Sequence, residues 1–108
     1  MSYNIFTIPP FDKQLKRLSR KYPSIKNDYA ELLQELSMSP EPGTPLGNNC
    51  FKIRMSIASK GKGKSGGARV IAHVKRIKES VYLLSIYDKS EQDSLPDSNL
   101  QELLKYIP

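Results

Sequence analysis

The sequence predicts an α+β domain in which an antiparallel β-sheet is packed by an N-terminal helical hairpin and a C-terminal helix. Two apolar stripes with helical spacing precede residue 37, three strand-like stretches follow in series between residues 51 and 87, and a last helical stripe ends the chain. With 108 residues and no internal repeat, we expect one domain over residues 1–108, in the order β-α-α-β-β-β-α.

The N-terminal third predicts one strand and two helices. β-forming residues run from Tyr3 to Ile8 and are closed by two prolines. The first helical stripe comprises Phe11, Leu15, Leu18 and Tyr22. Pro23 ends this helix, and Ser24 is expected to be the N-cap of the next one. The second stripe comprises Ile25, Tyr29, Leu32, Leu33 and Leu36. Because the break between the helices is short, we expect an antiparallel helix pair.

The remaining chain predicts the sheet and the last helix. Residues 37–49 contain several prolines and glycines without periodicity, which predicts a linker loop. Apolar and polar residues alternate from Phe51 to Ile57, as in a half-buried strand. Further strands are expected at 69–77 and 81–87, the latter central because it is the most apolar. A stripe from Leu100 to Ile107 predicts the last helix, and we expect all helices on one face of the sheet.

Composition excludes several classes of protein. The longest apolar run, from Val81 to Tyr87, is far shorter than the ~20 residues of a membrane helix. The N-terminus lacks the basic-then-apolar order of a signal peptide, so we expect a cytoplasmic protein without a membrane partner. The single cysteine, Cys50, excludes an internal disulfide and gives no metal-ligand pattern. We therefore expect no metal and no cofactor.

The net charge of +6 is concentrated in one third of the chain. Between Pro42 and Lys78 there are nine basic residues and no acidic one, whereas the rest carries eight basic and eleven acidic residues. Such a concentration indicates a polyanionic partner. The alternative is a basic surface that serves only solubility, which a charge spread over the whole chain would fit better.

A glycine-rich loop, residues 59–67, lies inside the basic third and is called here the lysine loop. Its cations, Lys60, Lys62 and Lys64, alternate with glycines, so the backbone can approach a phosphate closely. Residues 63–65 read Gly-Lys-Ser, as at the end of a phosphate-binding P-loop. However, Ala58 stands where that motif needs glycine, and a strand follows where it needs a helix. The P-loop interpretation is therefore rejected.

Pairing of the two strands that flank the lysine loop would bring cations onto one sheet face. The residues that would share this face are Lys52, Arg54, Arg69, His73 and Lys75. The planar fork of Arg69 can bind a phosphate through two hydrogen bonds. We expect a nucleic-acid or phosphate interface here, the alternative being a solvated edge that resists aggregation.

Other reactive side chains have weaker patterns. His73 is the one histidine, but a lone histidine on a strand is most often a polar surface residue. Cys50 lacks a histidine–carboxylate context and is expected to be structural. Asp88, Glu91 and Asp93 follow the central strand and are expected to serve as caps or surface residues, although Glu91 could pair with an arginine of the site or transfer a proton.

Several of these motifs together resemble the RelE/HigB superfamily of bacterial toxins. They are Lys-Ile-Arg at 52–54, the lysine loop, Arg-Val-Ile at 69–71, and Ile-Tyr-Asp-Lys at 86–89 followed by Glu91. The lysine–glycine loop and the Tyr-Asp-Lys strand end are most similar to the HigB-type branch. The predicted order of elements also resembles that fold, so the likeness covers most of the chain.

The resemblance implies an mRNA interferase, that is, a ribosome-dependent and metal-independent endoribonuclease that cleaves translated mRNA through its 2′-hydroxyl. Such chemistry needs a base, an acid and cations for the developing negative charge. The resemblance suggests Arg54 and Arg69 as phosphate-binding residues, Lys89 as a charge stabiliser, and Tyr87 and Glu91 as weaker catalytic candidates. RNA binding would involve Lys52, Lys60, Lys62, Lys64, His73 and Lys75. The implied partners are mRNA, the ribosome and a cognate antitoxin of helix-turn-helix type, with the toxin itself a monomer.

Two alternatives stay open from the sequence. The same surface could bind RNA or the ribosome without cleaving it. The superfamily also contains gyrase-inhibiting, ParE-like toxins, against which the lysine loop argues. The sequence departs from some family members near the last helix, where residues 94–96 replace a catalytic tyrosine and Tyr106 lies at the far end.

Overall fold

A computed structural model describes residues 2–40, 43–61 and 63–108 and confirms the α+β class. Along the chain the helices are α1 (Pro9–Lys21), α2 (Ile25–Met38) and α3 (Asp97–Leu104). The strands are β1 (Asn4–Thr7), β2 (Thr44–Gly47), β3 (Cys50–Met55), β4 (Ala68–Lys75) and β5 (Ser80–Asp88). A 3₁₀ turn at Ala58–Lys60 opens the lysine loop. None of the helices in these described ranges combines the length and the apolar composition of a membrane-spanning segment.

The sheet has the strand order β1-β5-β4-β3-β2 and is mixed. Strands β3, β4 and β5 are antiparallel neighbours, as predicted, and β2 adds a fourth, but β1 runs parallel to β5 and pairs at Asn4–Ser80 through Thr7–Leu83. The prediction of an entirely antiparallel sheet therefore fails at this one pairing. Strand direction at that edge depends on the path of the chain through the helix pair, which local sequence does not encode.

Strand β2 corrects the prediction that residues 37–49 form only a linker. It pairs antiparallel with β3, and all four of its residues are exposed. Asn48 and Asn49 both have positive φ, 53° and 59°, which suits a two-residue hairpin turn. Pro45 is compatible with an edge strand because one side of the edge has no pairing partner. An exposed edge strand shows no apolar alternation, so the sequence pattern did not reveal it.

The helices begin and end for local reasons. Pro9 and Pro10 occupy the first turn of α1, where a missing N–H is tolerated. Phe11 and Leu18 are completely buried. Ser24 precedes α2 as predicted, but its hydroxyl makes no cap bond. Instead it donates to Asp28 Oδ2 at 2.7 Å and accepts from the Ser59 N–H at 2.9 Å. Ser24 thereby connects the start of α2 to the start of the lysine loop.

The two faces of the sheet are covered by different parts of the chain. Asp88 of β5 faces the helix pair, because it accepts a hydrogen bond from the Tyr22 hydroxyl at the end of α1. Tyr87, its neighbour, therefore lies on the opposite face. The C-terminal segment crosses that opposite face: α3 contacts β5, and Lys75 donates to the Pro108 carbonyl at 2.6 Å. Helices thus cover both faces, unlike the expected one-sided packing.

Candidate nucleic-acid interface

Three functional candidates lie side by side on the face of the sheet away from the helix pair. Arg69 of β4 is the register partner of Arg54 on β3 and of Tyr87 on β5. Directly paired residues of antiparallel strands have their side chains on the same face. The strand pairing therefore brings Arg54, Arg69 and Tyr87 into one row across the sheet, and Lys52 belongs to the same face of β3.

Arg69 holds the end of the lysine loop. Its side chain is 5% exposed, and its guanidinium donates to the carbonyls of Lys64 at 3.0 Å, Ser65 at 3.2 Å and Ala68 at 3.1 Å. Gly67 allows this closure, because a Cβ atom there would lie 2.2 Å from the Met55 carbonyl oxygen. The guanidinium is thus pre-positioned by backbone contacts and lies at the base of the site.

Exposed cations line a depression beside this row, here named the basic groove. It has a volume of about 290 Å³ and is lined by Gly43, Thr44, Lys52, Arg54 and Lys64. Arg54 and Lys64 are exposed, and both also border a narrower cleft of about 50 Å³ lined by Glu31 and Glu35 of α2. The cations of the basic groove can bind a phosphate backbone. On the α2 side the cationic surface ends at the cleft lined by Glu31 and Glu35.

The Tyr87 hydroxyl is a buried polar group without a hydrogen-bond partner among the described residues. The residue is 4% exposed. Burial raises the pKa of Tyr87, the nearby Arg69 cation lowers it, and Asp93 raises it, with a net increase. The hydroxyl is therefore protonated at neutral pH. A buried hydroxyl without a partner is energetically unfavourable, and such groups often mark sites where a ligand supplies the missing hydrogen bond.

Lys89 and Asp93 form an ion pair at the border of the same site. The pKa of Asp93 is lowered, first by the hydrogen bond from Lys89 and then by the charges of Lys89, Lys52 and Arg69. Lys52 and Arg69 are therefore close enough to act on this carboxylate. The loop after β5 brings one anion into an otherwise cationic site.

Other predicted site residues lie elsewhere. Lys60 is on the helix side of the sheet, where its Nζ atom lies 2.8 Å from Asp88 Oδ1. Glu91 binds Arg17 Nη2 at 2.6 Å and Lys21 Nζ at 3.0 Å, both on α1. Glu91 therefore pairs with an arginine of α1 and not with Arg54 or Arg69. Lys62 lies outside the described residues.

His73 and Lys75 are on the correct face but farther along β4. The Nδ1 atom of His73 lies 3.5 Å from Cys50 Sγ, and burial lowers the pKa of the imidazole. Burial also raises the pKa of the Cys50 thiol to about 11, which suits an unreactive structural cysteine. Lys75 binds the Pro108 carbonyl, and its ammonium lies 5.6 Å from the centre of the Tyr82 ring.

Sequence reasoning missed the roles of two carboxylates. Asp93 is an exposed surface residue, as expected, but its ion pair with Lys89 beside the cationic row was not predicted; the i, i+4 spacing of the two residues is the signal that indicates it. Asp88 accepts from the Ser90 N–H, as expected of a cap at the strand end, but it is also completely buried and accepts from Lys60 and Tyr22, which was not predicted. Within the described ranges, no group of three or more His, Cys, Asp or Glu side chains is placed to hold a metal ion.

A five-stranded mixed sheet with a helix pair on one face and a C-terminal helix on the other is the fold of the RelE toxins. A free mutant form of E. coli toxin RelE matches with a TM-score of 0.63 and 20% identity, and the match covers 100% of both chains. The intact E. coli RelBE toxin–antitoxin complex matches with a TM-score of 0.63 and 20% identity, and the match covers 81% of this chain and 96% of that chain. The RelBE2 toxin–antitoxin complex of Mycobacterium tuberculosis matches with a TM-score of 0.59 and 14% identity, and the match covers 82% of this chain and 92% of that chain. No protein-family model matches the sequence.

Proposed function

We propose that this protein is the toxin of a toxin–antitoxin pair and acts in the cytoplasm as a ribosome-dependent, metal-independent endoribonuclease on translated mRNA. The shared fold and the motifs that resemble the RelE/HigB superfamily support the class. The observation that carries the site is the buried hydroxyl of Tyr87, which has no hydrogen-bond partner among the described residues and lies in one row with Arg69 and Arg54 beside the basic groove.

The basic groove suits a single RNA strand. Lys52, Arg54 and Lys64 present cations that follow a phosphate backbone, and this interaction does not depend on sequence. Of the two arginines in the row, Arg54 is the exposed one, and it binds the phosphate at the cleavage position. Arg69 acts through its hydrogen bonds to the lysine loop and adds positive potential beneath that phosphate.

Cleavage uses the 2′-oxygen of the RNA as the nucleophile. This oxygen gives its proton to solvent water and bonds to the adjacent phosphorus as the bond to the 5′-oxygen breaks, and protonation of that oxygen leaves a 2′,3′-cyclic phosphate and a 5′-hydroxyl. Because its pKa is raised, Tyr87 stays protonated at neutral pH and is not suited to act as the base. Its hydroxyl is therefore available as a proton or hydrogen-bond donor to the leaving 5′-oxygen or to a phosphoryl oxygen. Lys89 stabilises the negative charge that develops. DNA lacks the nucleophile and is not cleaved.

The cognate antitoxin is proposed to be of helix-turn-helix type and to neutralise the toxin by covering the basic groove with an acidic segment. The E. coli and M. tuberculosis relatives occur in toxin–antitoxin complexes. The toxin alone is proposed to be a monomer that binds mRNA and the ribosome.

The test is cleavage of a defined mRNA on purified ribosomes in the presence of EDTA. The native protein should cut the message, and Arg54→Ala should reduce cleavage by at least 10²-fold because the substitution removes the cation that binds the phosphate. A 2′-deoxy substitution at the cleavage position should abolish the product. Lys105→Ala, which removes an exposed cation on the C-terminal segment, is the matched control and should retain activity. Cleavage that persists on the deoxy substrate would refute the proposed chemistry.

A second function, RNA or ribosome binding without cleavage, is favoured by the burial of both Arg69 and Tyr87. It predicts ribosome binding that depends on Arg54 while the message stays intact under every condition. Expression that stops replication and leaves messages intact would instead favour a gyrase-directed toxin.

A further inference from the structure

Helix α1 carries a second cationic surface that the basic groove does not include. Its five cations, here named the α1 basic face, are Lys13, Lys16, Arg17, Arg20 and Lys21. All five are exposed, and the helix contains a single acidic residue, Asp12. At 100° per residue they fall within an arc of about 140°, opposite the buried Phe11 and Leu18, and they extend over about 12 Å of the helix axis. The helix thus presents a continuous basic strip to solvent.

Two of these cations pair with the carboxylate of Glu91, and one of them, Lys21, also lies 3.7 Å from Asp88 Oδ2. Glu91 accepts from Arg17 at 2.6 Å and from Lys21 at 3.0 Å. Within the described ranges, no carboxylate lies within the 4.0 Å ion-pair distance of Lys13, Lys16 or Arg20. The strip therefore keeps a net positive charge although its C-terminal end is paired.

A groove adjoins the strip and adds one more cation. It has a volume of about 270 Å³ and lies between α1 and α2, and its charged lining consists of Lys16, Lys26 and the single carboxylate Asp12. Lys26 is exposed at the start of α2. The two positive charges of Lys16 and Lys26 exceed the one negative charge of Asp12, so the groove continues the positive potential of the strip.

The α1 basic face and the basic groove lie on opposite sides of the molecule. Arg54 and Arg69 share the sheet face that Tyr87 occupies, whereas α1 packs on the face that carries Asp88. Lys21, at the end of α1, reaches back to 3.7 Å from Asp88, and the other four cations are exposed on the helix. The protein measures 37 × 33 × 23 Å. A single RNA strand in the basic groove would therefore not reach this surface by a direct path, and a second RNA segment is needed to occupy it.

We propose that the α1 basic face binds the phosphate backbone of an RNA duplex while the basic groove binds a single strand. This inference rests on the proposed function, in which the toxin acts on the ribosome. There the toxin would contact single-stranded mRNA with one surface and duplex RNA with the other. A convex strip of cations without a stacking aromatic matches duplex phosphates better than it matches unpaired bases; Tyr22 and Tyr29, the nearest aromatic residues, are partly buried in the core packing.

The test measures binding of the full chain to two labelled probes by fluorescence anisotropy over a range of salt concentrations. The probes are an RNA duplex of about 16 base pairs and a single strand of equal length. One variant combines Lys13→Gln, Lys16→Gln and Arg20→Gln. The matched variant combines Lys52→Gln, Arg54→Gln and Lys64→Gln, which removes the same charge from the basic groove. Thermal unfolding verifies that both variants fold.

The α1 variant should bind the duplex at least tenfold more weakly, and the slope of its salt dependence should fall by roughly one unit for each phosphate that is no longer neutralised. Its single-strand affinity should change less than twofold, and the groove variant should show the reverse pattern. Equal weakening on both probes for both variants would overturn the inference, because net charge alone would then explain binding. An α1 variant that keeps its duplex affinity but no longer binds the antitoxin would also overturn it and assign the surface to a protein.

Failure of the inference and failure of the proposed function are distinguishable. If the α1 variant binds duplex normally while native protein still cleaves ribosome-bound mRNA, the inference fails alone. If duplex binding depends on α1 but no message is cut, the cleavage proposal fails and the second surface stands.

Discussion

Lys60 and Asp88 join the start of the lysine loop to the end of the central strand through a buried ion pair of 2.8 Å. The Lys60 side chain is 10% exposed and that of Asp88 is 0% exposed. At the other end of the loop, Arg69 binds the carbonyls of Lys64 and Ser65. The loop is therefore fixed at both ends, and the side chain of Lys64, whose carbonyl is one of the anchors, lines the basic groove.

The first prediction concerns stability. Asp88→Asn should lower the free energy of unfolding by roughly 3 kcal/mol, because it leaves the Lys60 charge without its buried partner. For a chain of this size the melting temperature should fall by about 12 °C or more. Urea unfolding followed by circular dichroism measures the change. Glu102→Gln is the control, since its partner Lys105 is exposed, and it should change stability by less than about 0.5 kcal/mol. Equal effects of the two substitutions would contradict the prediction.

The second prediction concerns acid stability. Burial by itself raises the pKa of Asp88, but hydrogen bonds from Lys60, Tyr22 and Ser90 outweigh it and hold the pKa far below its usual range. A carboxylate with a depressed folded-state pKa stabilises the fold above its unfolded pKa of about 3.9, and that stability is lost as pH falls toward the folded value. Stability should therefore decline progressively below about pH 5. The difference between native protein and Asp88→Asn should shrink over that range, and a constant difference would refute the assignment.

The sequence predicted much of this fold because its stripes and alternations are set by burial. Phe11 and Leu18 lie at the core as their spacing indicates, and the pairing of the strands that flank the lysine loop brings Arg54 and Arg69 together. Strand β2 was missed because an exposed edge leaves no apolar pattern. The parallel pairing of β1 with β5 was not predicted, because the direction of β1 in the sheet depends on the path of the chain through the helix pair.

Within the site, residues of the same type and charge have different roles, which the sequence alone does not distinguish. Lys60 and Lys64 are alike in sequence, but only the ion pair with Asp88, distant in the chain, shows that Lys60 belongs to the fold. Arg54 and Arg69 likewise differ in exposure through tertiary packing. Burial of individual cations is a property of the assembled sheet and loop, so a charge pattern cannot assign it.

The third prediction separates structure from chemistry at Tyr87. Tyr87→Phe removes a buried hydroxyl that has no partner among the described residues, so stability should stay the same or rise by up to about 1 kcal/mol. Cleavage of ribosome-bound mRNA should nevertheless fall by about 10²-fold or more, since the substitution removes a proton or hydrogen-bond donor. Tyr106→Phe changes an exposed hydroxyl near the chain end and serves as the control. A stable Tyr87→Phe protein with native cleavage rates would remove Tyr87 from the mechanism.

The fourth prediction concerns Asp93, the anion at the border of the basic groove. Its carboxylate pairs with Lys89 and feels the charges of Lys52 and Arg69, so it competes with an incoming phosphate for the same cations. Asp93→Asn should therefore tighten binding of a single-stranded RNA by about twofold to fivefold at low salt, because the pair is exposed and the effect is screened. At 1 M salt, where the Debye length is about 3 Å, the difference should vanish. Asp97→Asn removes a similarly exposed carboxylate at the start of α3 and is the matched control. If both substitutions tighten binding equally, the gain reflects net charge, and Asp93 has no specific place in the interface.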